Sequence, residues 1–442
     1  FMSIQPKLKQ FDLTMIVVSL VIGVGIFRTP AVVAEKAGSE WIFYAAWIFG
    51  GLVSICGALT FAEIGSRLPA AGGYYKIFSY AYHPAYAFML NWSQVIINAG
   101  SSAGVAIIGA EYITPVLFSN SAQTDIIEKI IAISIILFLF AINFAGIKMG
   151  ARTQNFLSIL KIVMITAFCF AIFGKHAPES SSIINNQNDI NFISAFGVAL
   201  ISIFFTYGGY QQTVNFGADV ENAKTNIPKA IFSGMGIVIC LYLLLNFTYV
   251  QVIGFETMKT SPLIASTLAE IIFGPIGATI ISIVLFTSVL GFLNTSVMSN
   301  PRVYYAMAED KILPPVFLSV NPKTQVQQFG LTFFIGVMLL SVFLLGDFEN
   351  IVNYVLFIDS ISLASAAAAI FILRKKSNAN YDGFKMKGYP IIPFVFMATL
   401  LFGTYNTIVA DPKSSLYGFI IFLGGLPLYF LMHRMFNKSK TH

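Results

Sequence analysis

Ser19-Leu20-Val21-Ile22-Gly23-Val24-Gly25-Ile26-Phe27-Arg28-Thr29-Pro30 sits inside the first long apolar segment, roughly 13–34. A segment of that length can cross a bilayer as a helix. Gly23-Val24-Gly25 falls near its middle, where glycine is a poor helix former. A break at membrane depth is tolerated only where protein buries it or where it lines a cavity. The peptide N–H and C=O groups that it frees can hold a charged solute. Close helix packing through small residues is the alternative reading of one G-x-G. A matching break elsewhere favours a site. The sixth apolar segment carries one, in Phe204-Phe205-Thr206-Tyr207-Gly208-Gly209-Tyr210.

The chain of 442 residues is 57% hydrophobic and 10% charged, with a mean hydropathy of +0.77. This excludes an ordinary soluble globule. Apolar runs recur along almost the whole length, which predicts an all-α polytopic membrane protein. Twelve transmembrane helices are expected, at roughly 13–34, 41–66, 85–118, 126–146, 154–174, 192–216, 230–254, 276–306, 329–346, 350–373, 390–410 and 416–436. Several exceed the span of a perpendicular helix, so tilt is expected. An even count places both termini on one side. Most lysines and arginines fall on that side, which predicts cytoplasmic termini in a multi-pass protein of the cell (inner or plasma) membrane.

Other function classes find little support. The net charge of +6 follows the membrane topology, so no nucleic-acid partner is expected. Cys56, Cys169 and Cys240 lie inside apolar runs and offer no disulfide framework. The four histidines, His83, His176, His433 and His442, are scattered at segment ends, so neither a metal nor a cofactor is expected. No paired-carboxylate, histidine or cysteine constellation has catalytic spacing, and no G-x-x-x-x-G-K-[ST] occurs, so an enzyme or a nucleotide-driven pump is not expected. No small-residue cleavage site follows the first apolar run, so no removable leader is expected either.

The two breaks lie in the first and sixth spans, which cross the membrane in opposite directions. Interrupted segments at corresponding positions of two halves point to a transporter site built on inverted repeats. The expected organisation is a first repeat over 1–174 and a second over 192–376. Residues 388–442 add two further helices and a tail as an appendage.

Several stretches resemble the amino acid–polyamine–organocation permeases, especially their L-type amino acid transporter branch. Gly23-Val24-Gly25-Ile26-Phe27 is similar to the family's Gly-Ser-Gly-Ile-Phe. Phe205-Thr206-Tyr207-Gly208-Gly209-Tyr210 resembles its Phe-Ala-Tyr-Gly-Gly-Trp. Phe61-Ala62-Glu63-Ile64-Gly65, Asn226-Ile227-Pro228-Lys229-Ala230, Tyr304-Tyr305-Ala306-Met307-Ala308-Glu309-Asp310 and Gly388-Tyr389-Pro390 follow in the family's order. The resemblance implies a LeuT-type fold and amino acid transport. There are departures. Val24 stands where many members carry Ser or Thr, Tyr210 replaces a common Trp, and Asp359 stands where Asn is usual. Members tied to a heavy chain use a cysteine in the loop after span three. Residues 119–125 contain none, so no disulfide-linked heavy chain is expected.

An amino acid backbone is a zwitterion. The start of a half-helix offers free N–H groups to its carboxylate, and the end of one offers carbonyls to its ammonium. The expected substrate site is therefore Ile22, Gly23, Val24, Gly25, Ile26 and Phe27 with Phe204, Phe205, Tyr207 and Gly208. By resemblance Phe205 closes the outer side over substrate. Its alternative reading is lipid-facing or core packing. Lys161 lies deep in span five, where it either snorkels to the interface or serves a function. The resemblance places a lysine there in sodium-independent and proton-coupled members, where sodium-coupled relatives hold sodium. Asn294, Thr295 and Ser296 of span eight fall at equal depth and could bond its ammonium. Asn98, Ser101 and Ser102 are candidate pocket lining. Asp359 has three open roles: attracting a cationic substrate, taking up a proton, or resting protonated in the bundle. The leading expectation is a secondary amino acid transporter working by alternating access, through sodium-independent exchange or proton-coupled uptake. A polyamine or other organic-cation carrier, and a non-transporting sensor on the same fold, are the alternatives.

Overall fold

The computed structural model describes residues 4–118, 124–174, 192–261, 263–344, 348–376, 381–410 and 412–437. The loop 119–125, on which the heavy-chain expectation rests, lies mostly outside them. The first broken span is helix α1 (Gln10–Val21) followed by α2 (Thr29–Ala37). Next come α3 (Glu40–Arg67), α4 (Gly73–Ala81), α5 (Pro84–Asn91), α6 (Gln94–Leu117), α7 (Thr124–Ala145) and α8 (Ile147–Cys169). The second half holds α9 (Phe192–Tyr207), α10 (Ala223–Ile253), α11 (Phe255–Thr260), α12 (Ile264–Phe273), α13 (Gly277–Glu309), α14 (Gln328–Leu344) and α15 (Phe348–Lys376). Helices α16 (Ile391–Ala410) and α17 (Pro412–Asn437) follow. Among the described residues the only β-type pairings are two isolated bridges, Leu8 with Val220 and Ala71 with Phe216.

Among the described residues, five helical stretches are long and apolar enough to cross a membrane unaided: Glu40–Arg67, Ile147–Phe173, Ala223–Ile253, Ile264–Glu309 and Ser415–Phe436. Shorter apolar helices stand at Gln10–Val21, Gln328–Phe343 and Ile391–Asn406. This is a multi-pass membrane protein. Its outward-facing apolar side chains, such as Phe156, Phe343, Phe394 and Phe430, need lipid.

Helix α1 is buried from Leu13 to Val21 and forms the axis of the bundle. It packs on α8, α10 and α13. An aromatic cluster fills the space beside it. Tyr207 lies between Trp47 and Tyr242, with ring centroids 5.7 Å and 5.2 Å away. On the other flank, Ala99, Ala103, Ala106 and Ala110 of α6 let α13 come close through Val289 and Leu293.

The expected third span, 85–118, is not one helix. It is divided at Trp92-Ser93 into α5 and α6. The joint seats the Trp92 indole against α17, where Nε1 donates to the Ile421 carbonyl at 3.1 Å.

The end of the bundle that carries the chain start is tied by buried ion pairs. Arg302 grips Asp219 through Nε at 2.6 Å and Nη2 at 3.1 Å, and stacks over Phe216. The Asp219 carbonyl also accepts the N–H groups of Lys7 and Leu8, both at 2.8 Å. Glu63 accepts from Arg67 at 2.7 Å, from Arg374 at 2.9 and 2.7 Å, and from the Met386 N–H at 2.8 Å. Both carboxylates are fully buried. Removing one partner of such a pair typically costs about 3–5 kcal/mol, because a buried charge is left uncompensated.

Candidate functional site

Both expected breaks are present. At the first, α1 ends at Val21, and Ile22 leaves helical geometry with φ −76° and ψ 89°. A short 3-10 turn, Gly25–Phe27, leads into α2, whose first turn carries Pro30. Proline is suited there because it lacks an N–H that would go unpaired anyway. At the second break α9 ends at Tyr207, and Gly209 adopts φ +113°. The chain continues through 3-10 turns at Tyr210–Asn215 and Gly217–Asp219 rather than an α-helical inner half.

The freed groups of the first break fall into two sets. Its carbonyls are capped by side chains. Tyr242 Oη donates to the Val21 carbonyl at 2.9 Å, and Lys161 Nζ donates to the Ile22 carbonyl at 2.9 Å. The Gly23 N–H turns back to Val21 O at 2.9 Å, and the Phe27 N–H turns back to Val24 O at 3.2 Å. Among the described residues, the N–H groups of Val24, Gly25 and Ile26 make no hydrogen bond. A Cβ added to Gly23 would meet nothing within 4 Å, so this glycine borders open space. Three successive free amides at the start of a helical segment make an anion-binding concavity.

The two breaks touch. A Cβ on Gly209 would collide with the Leu20 carbonyl oxygen. Gly209 can hold this position because it has no Cβ and tolerates positive φ. Its N–H is satisfied by Gln211 Oε1 at 2.9 Å. The outer halves meet at Thr206, whose hydroxyl donates to Thr29 Oγ1 at 2.9 Å.

A cavity of about 340 Å³ opens beside the breaks and extends toward the end bearing the chain start. Small-molecule sites typically occupy about 300–1,000 Å³. Leu20, Phe204, Gly208 and Gly209 form its break-side wall. Asn98 and Asp359 also line it. Asn98 Nδ2 donates to Asn300 Oδ1 at 2.9 Å, and Gln94 Nε2 donates to Asp359 Oδ1 at 2.6 Å. Ile22 to Phe27, Tyr207 and Ser101 are not among its lining. Tyr207 points into the aromatic core instead. Ser102 bonds Ser296 at 2.7 Å between α6 and α13, and so joins helices rather than lining the cavity. The backbone of Phe205 lies in α9, and its side chain lies outside the described residues.

Lys161 is 1% exposed, which removes the snorkelling reading. Its Nζ donates to Ser19 Oγ and to the Ile22 carbonyl, each at 2.9 Å. The expectation that Asn294, Thr295 and Ser296 bond this ammonium is not met. Helix α13 meets Lys161 about one turn earlier, at Gly291, where the missing side chain leaves room for the amine. A Cβ there would lie 2.8 Å from Nζ. Asn294 instead donates to Gln154 Oε1 at 2.8 Å and to the Gly150 carbonyl at 3.1 Å, and accepts from Asn143 at 2.8 Å. Gln154 donates to Ser158 at 3.2 Å, and Ser158 donates to the Met15 carbonyl at 2.8 Å. Thr295 bonds the Gly291 carbonyl of its own helix. A buried amide ladder thus runs beside α1 up to the level of Lys161.

Sequence reasoning missed Tyr242, Gln94, Gln211, Gln212 and the α16 wall at Thr399, Leu400 and Gly403. Gln211-Gln212 directly follows the second break, a polar pair in an apolar setting, and that was a usable signal.

The profile of a family described as amino acid permease matches residues 8–432. The chain is 30% identical over 432 residues to a serine/threonine exchanger, SteT, of Bacillus subtilis (strain 168), covering 96% of each protein. It is 27% identical over 427 residues to the cystine/glutamate transporter of Homo sapiens, covering 94% of this chain and 83% of that one. It is 24% identical over 436 residues to the b(0,+)-type amino acid transporter 1 of Mus musculus, covering 97% and 88%.

Proposed function

Because the chain belongs to the amino acid permease family, and is a transporter rather than an enzyme, we propose that it moves amino acids by alternating access. The observation that carries this reading is the set of free Val24, Gly25 and Ile26 amides beside the open flank of Gly23. They suit a substrate carboxylate. The substrate ammonium faces carbonyls of the second break, near Phe204, Phe205 and Tyr207.

In this reading twelve spans cross the cell membrane with both termini cytoplasmic. Residues 1–174 and 192–376 form the two inverted repeats, and 388–442 adds the last two helices. The α16 residues in the cavity wall give those helices a share in the site. Lys161 is the coupling residue. Its ammonium bridges α8 to the end of α1, so movement of α1 away from α8 must break both bonds. Its positive charge stands where an ion would otherwise be needed, which makes transport sodium-independent, by exchange or by proton-coupled uptake.

The test is counterflow of labelled amino acids into preloaded proteoliposomes, with sodium replaced by choline and with or without a pH gradient. Exchange that persists in choline supports the reading. Accumulation that requires sodium, or no counterflow of any amino acid, would overturn it.

A further inference from the structure

We propose that the cavity selects amino acids with a cationic side chain, of the lysine or arginine type, and that Asp359 receives that cation. This rests on the amino acid transport reading above.

Asp359 is the only charged side chain among the described residues that line the cavity. It is exposed into that space. Its Oδ1 accepts one amide hydrogen bond, from Gln94 at 2.6 Å, and among the described residues Oδ2 has no partner. The two fully buried carboxylates show the contrast. Glu63 is held by two arginines at 2.7–2.9 Å, and Asp219 by one at 2.6 and 3.1 Å. Among the described residues, Asp359 has no cation of its own.

A carboxylate in a cavity that closes needs a partner once water leaves. A neutral side chain would leave Oδ2 unmatched, and an acidic one would add repulsion. A cation completes the pair with a charge-assisted hydrogen bond. The remaining lining suits such a side chain. Val95, Leu363 and Leu400 offer apolar surface for a methylene stem, and neutral amides such as Gln211 and Gln212 complete the lining. The zwitterion binds at the breaks, and the stem spans the cavity toward α15.

The experiment is proteoliposome uptake and competition with lysine, arginine, serine, leucine, glutamate and putrescine, for the parent protein, Asp359→Asn and Asp359→Glu. Melting temperatures in detergent establish that each variant is folded. The parent should take lysine and arginine with a KM about tenfold below that for leucine, with glutamate weakest. Asp359→Asn should reduce the lysine-to-leucine preference by about tenfold or more, and Asp359→Glu should restore much of it. If Asp359→Asn does not fold, the ranking by the parent decides. Uptake of serine or leucine with lysine excluded overturns the inference and leaves amino acid transport standing. So does an unchanged preference in Asp359→Asn. Uptake of putrescine without any amino acid, or no uptake at all, overturns the transport reading and this inference with it.

Discussion

The first break and the second solve opposite problems. At the first, the chain leaves the helix and its carbonyls are caught by side chains from other helices, Lys161 from α8 and Tyr242 from α10. Its amides stay free, and Gly23 borders open space. At the second, the backbone itself is the contact. Gly209 sits at φ +113° against the Leu20 carbonyl, with no room for a methyl group. Gly23 borders open space, whereas Gly209 is a point where backbone meets backbone at the edge of the cavity. A Gly-Gly or Gly-x-Gly inside a membrane helix therefore does not by itself announce a binding surface. What the neighbouring backbone does opposite the missing Cβ decides its role.

Substitutions can test that difference. The largest effect is expected from Gly209→Ala, which combines positive-φ strain with a collision against backbone. A loss of roughly 2–5 kcal/mol is expected, seen as a sharp drop in melting temperature and in folded yield. A melting curve like that of the parent would show that the two breaks do not bear on each other.

Lys161→Ala comes next. It leaves the Ile22 carbonyl and the Ser19 hydroxyl buried without their donor, at a cost of about 1–3 kcal/mol. Exchange in proteoliposomes should fall far more than substrate-induced thermal stabilisation does. Full-rate exchange would remove Lys161 from the transport cycle. Gly291→Ala sharpens the same point without touching the charge, since the added methyl would crowd both Lys161 and Ser19. It should slow exchange with a smaller loss of stability, roughly 1–2 kcal/mol. Equal exchange by parent and variant would show the amine free to move aside.

Tyr242→Phe removes one of the two donors on the Val21 carbonyl, leaving the Gly23 N–H in place. About 0.5–1.5 kcal/mol is expected from chemical or thermal unfolding. The smallest stability change belongs to Gly23→Ala, within about 0.5 kcal/mol, because its Cβ would meet nothing. Substrate affinity should nevertheless weaken, since the methyl would occupy the open flank. Unaltered affinity there would move the site away from the first break.

The breaks themselves were legible because glycine in an apolar run is a local signal. Lys161 was legible for the same reason, as a charge where charges are rare. Its contact on the eighth span was not. Counting residues along α13 places Asn294 at a similar depth, yet the helix presents Gly291 to the amine. Helix rotation and crossing angle decide that, and neither is written in one segment. The α16 wall was hidden similarly. Hydropathy shows that residues 391–410 are apolar, not that Thr399 and Gly403 face a cavity. The 3-10 path of Tyr210–Asn215 escaped because the apolar run to residue 216 reads as continued helix.

The parallel bridge between Leu8 and Val220 has a mechanical consequence. Helix α1 has 12 residues and is about 18 Å long. It is pinned at its start, where Leu8 and Lys7 bond the Asp219 carbonyl and the Leu8 carbonyl accepts from Glu221. It is pinned again at its far end by Tyr242 and Lys161. A rod held at both ends cannot swing as a free lever. Releasing only the Lys161 end would leave α1 coupled to α10 through Tyr242 and to the 216–221 segment. Any displacement of α1 would then have to carry these neighbours with it, so the mechanical unit is larger than one helix.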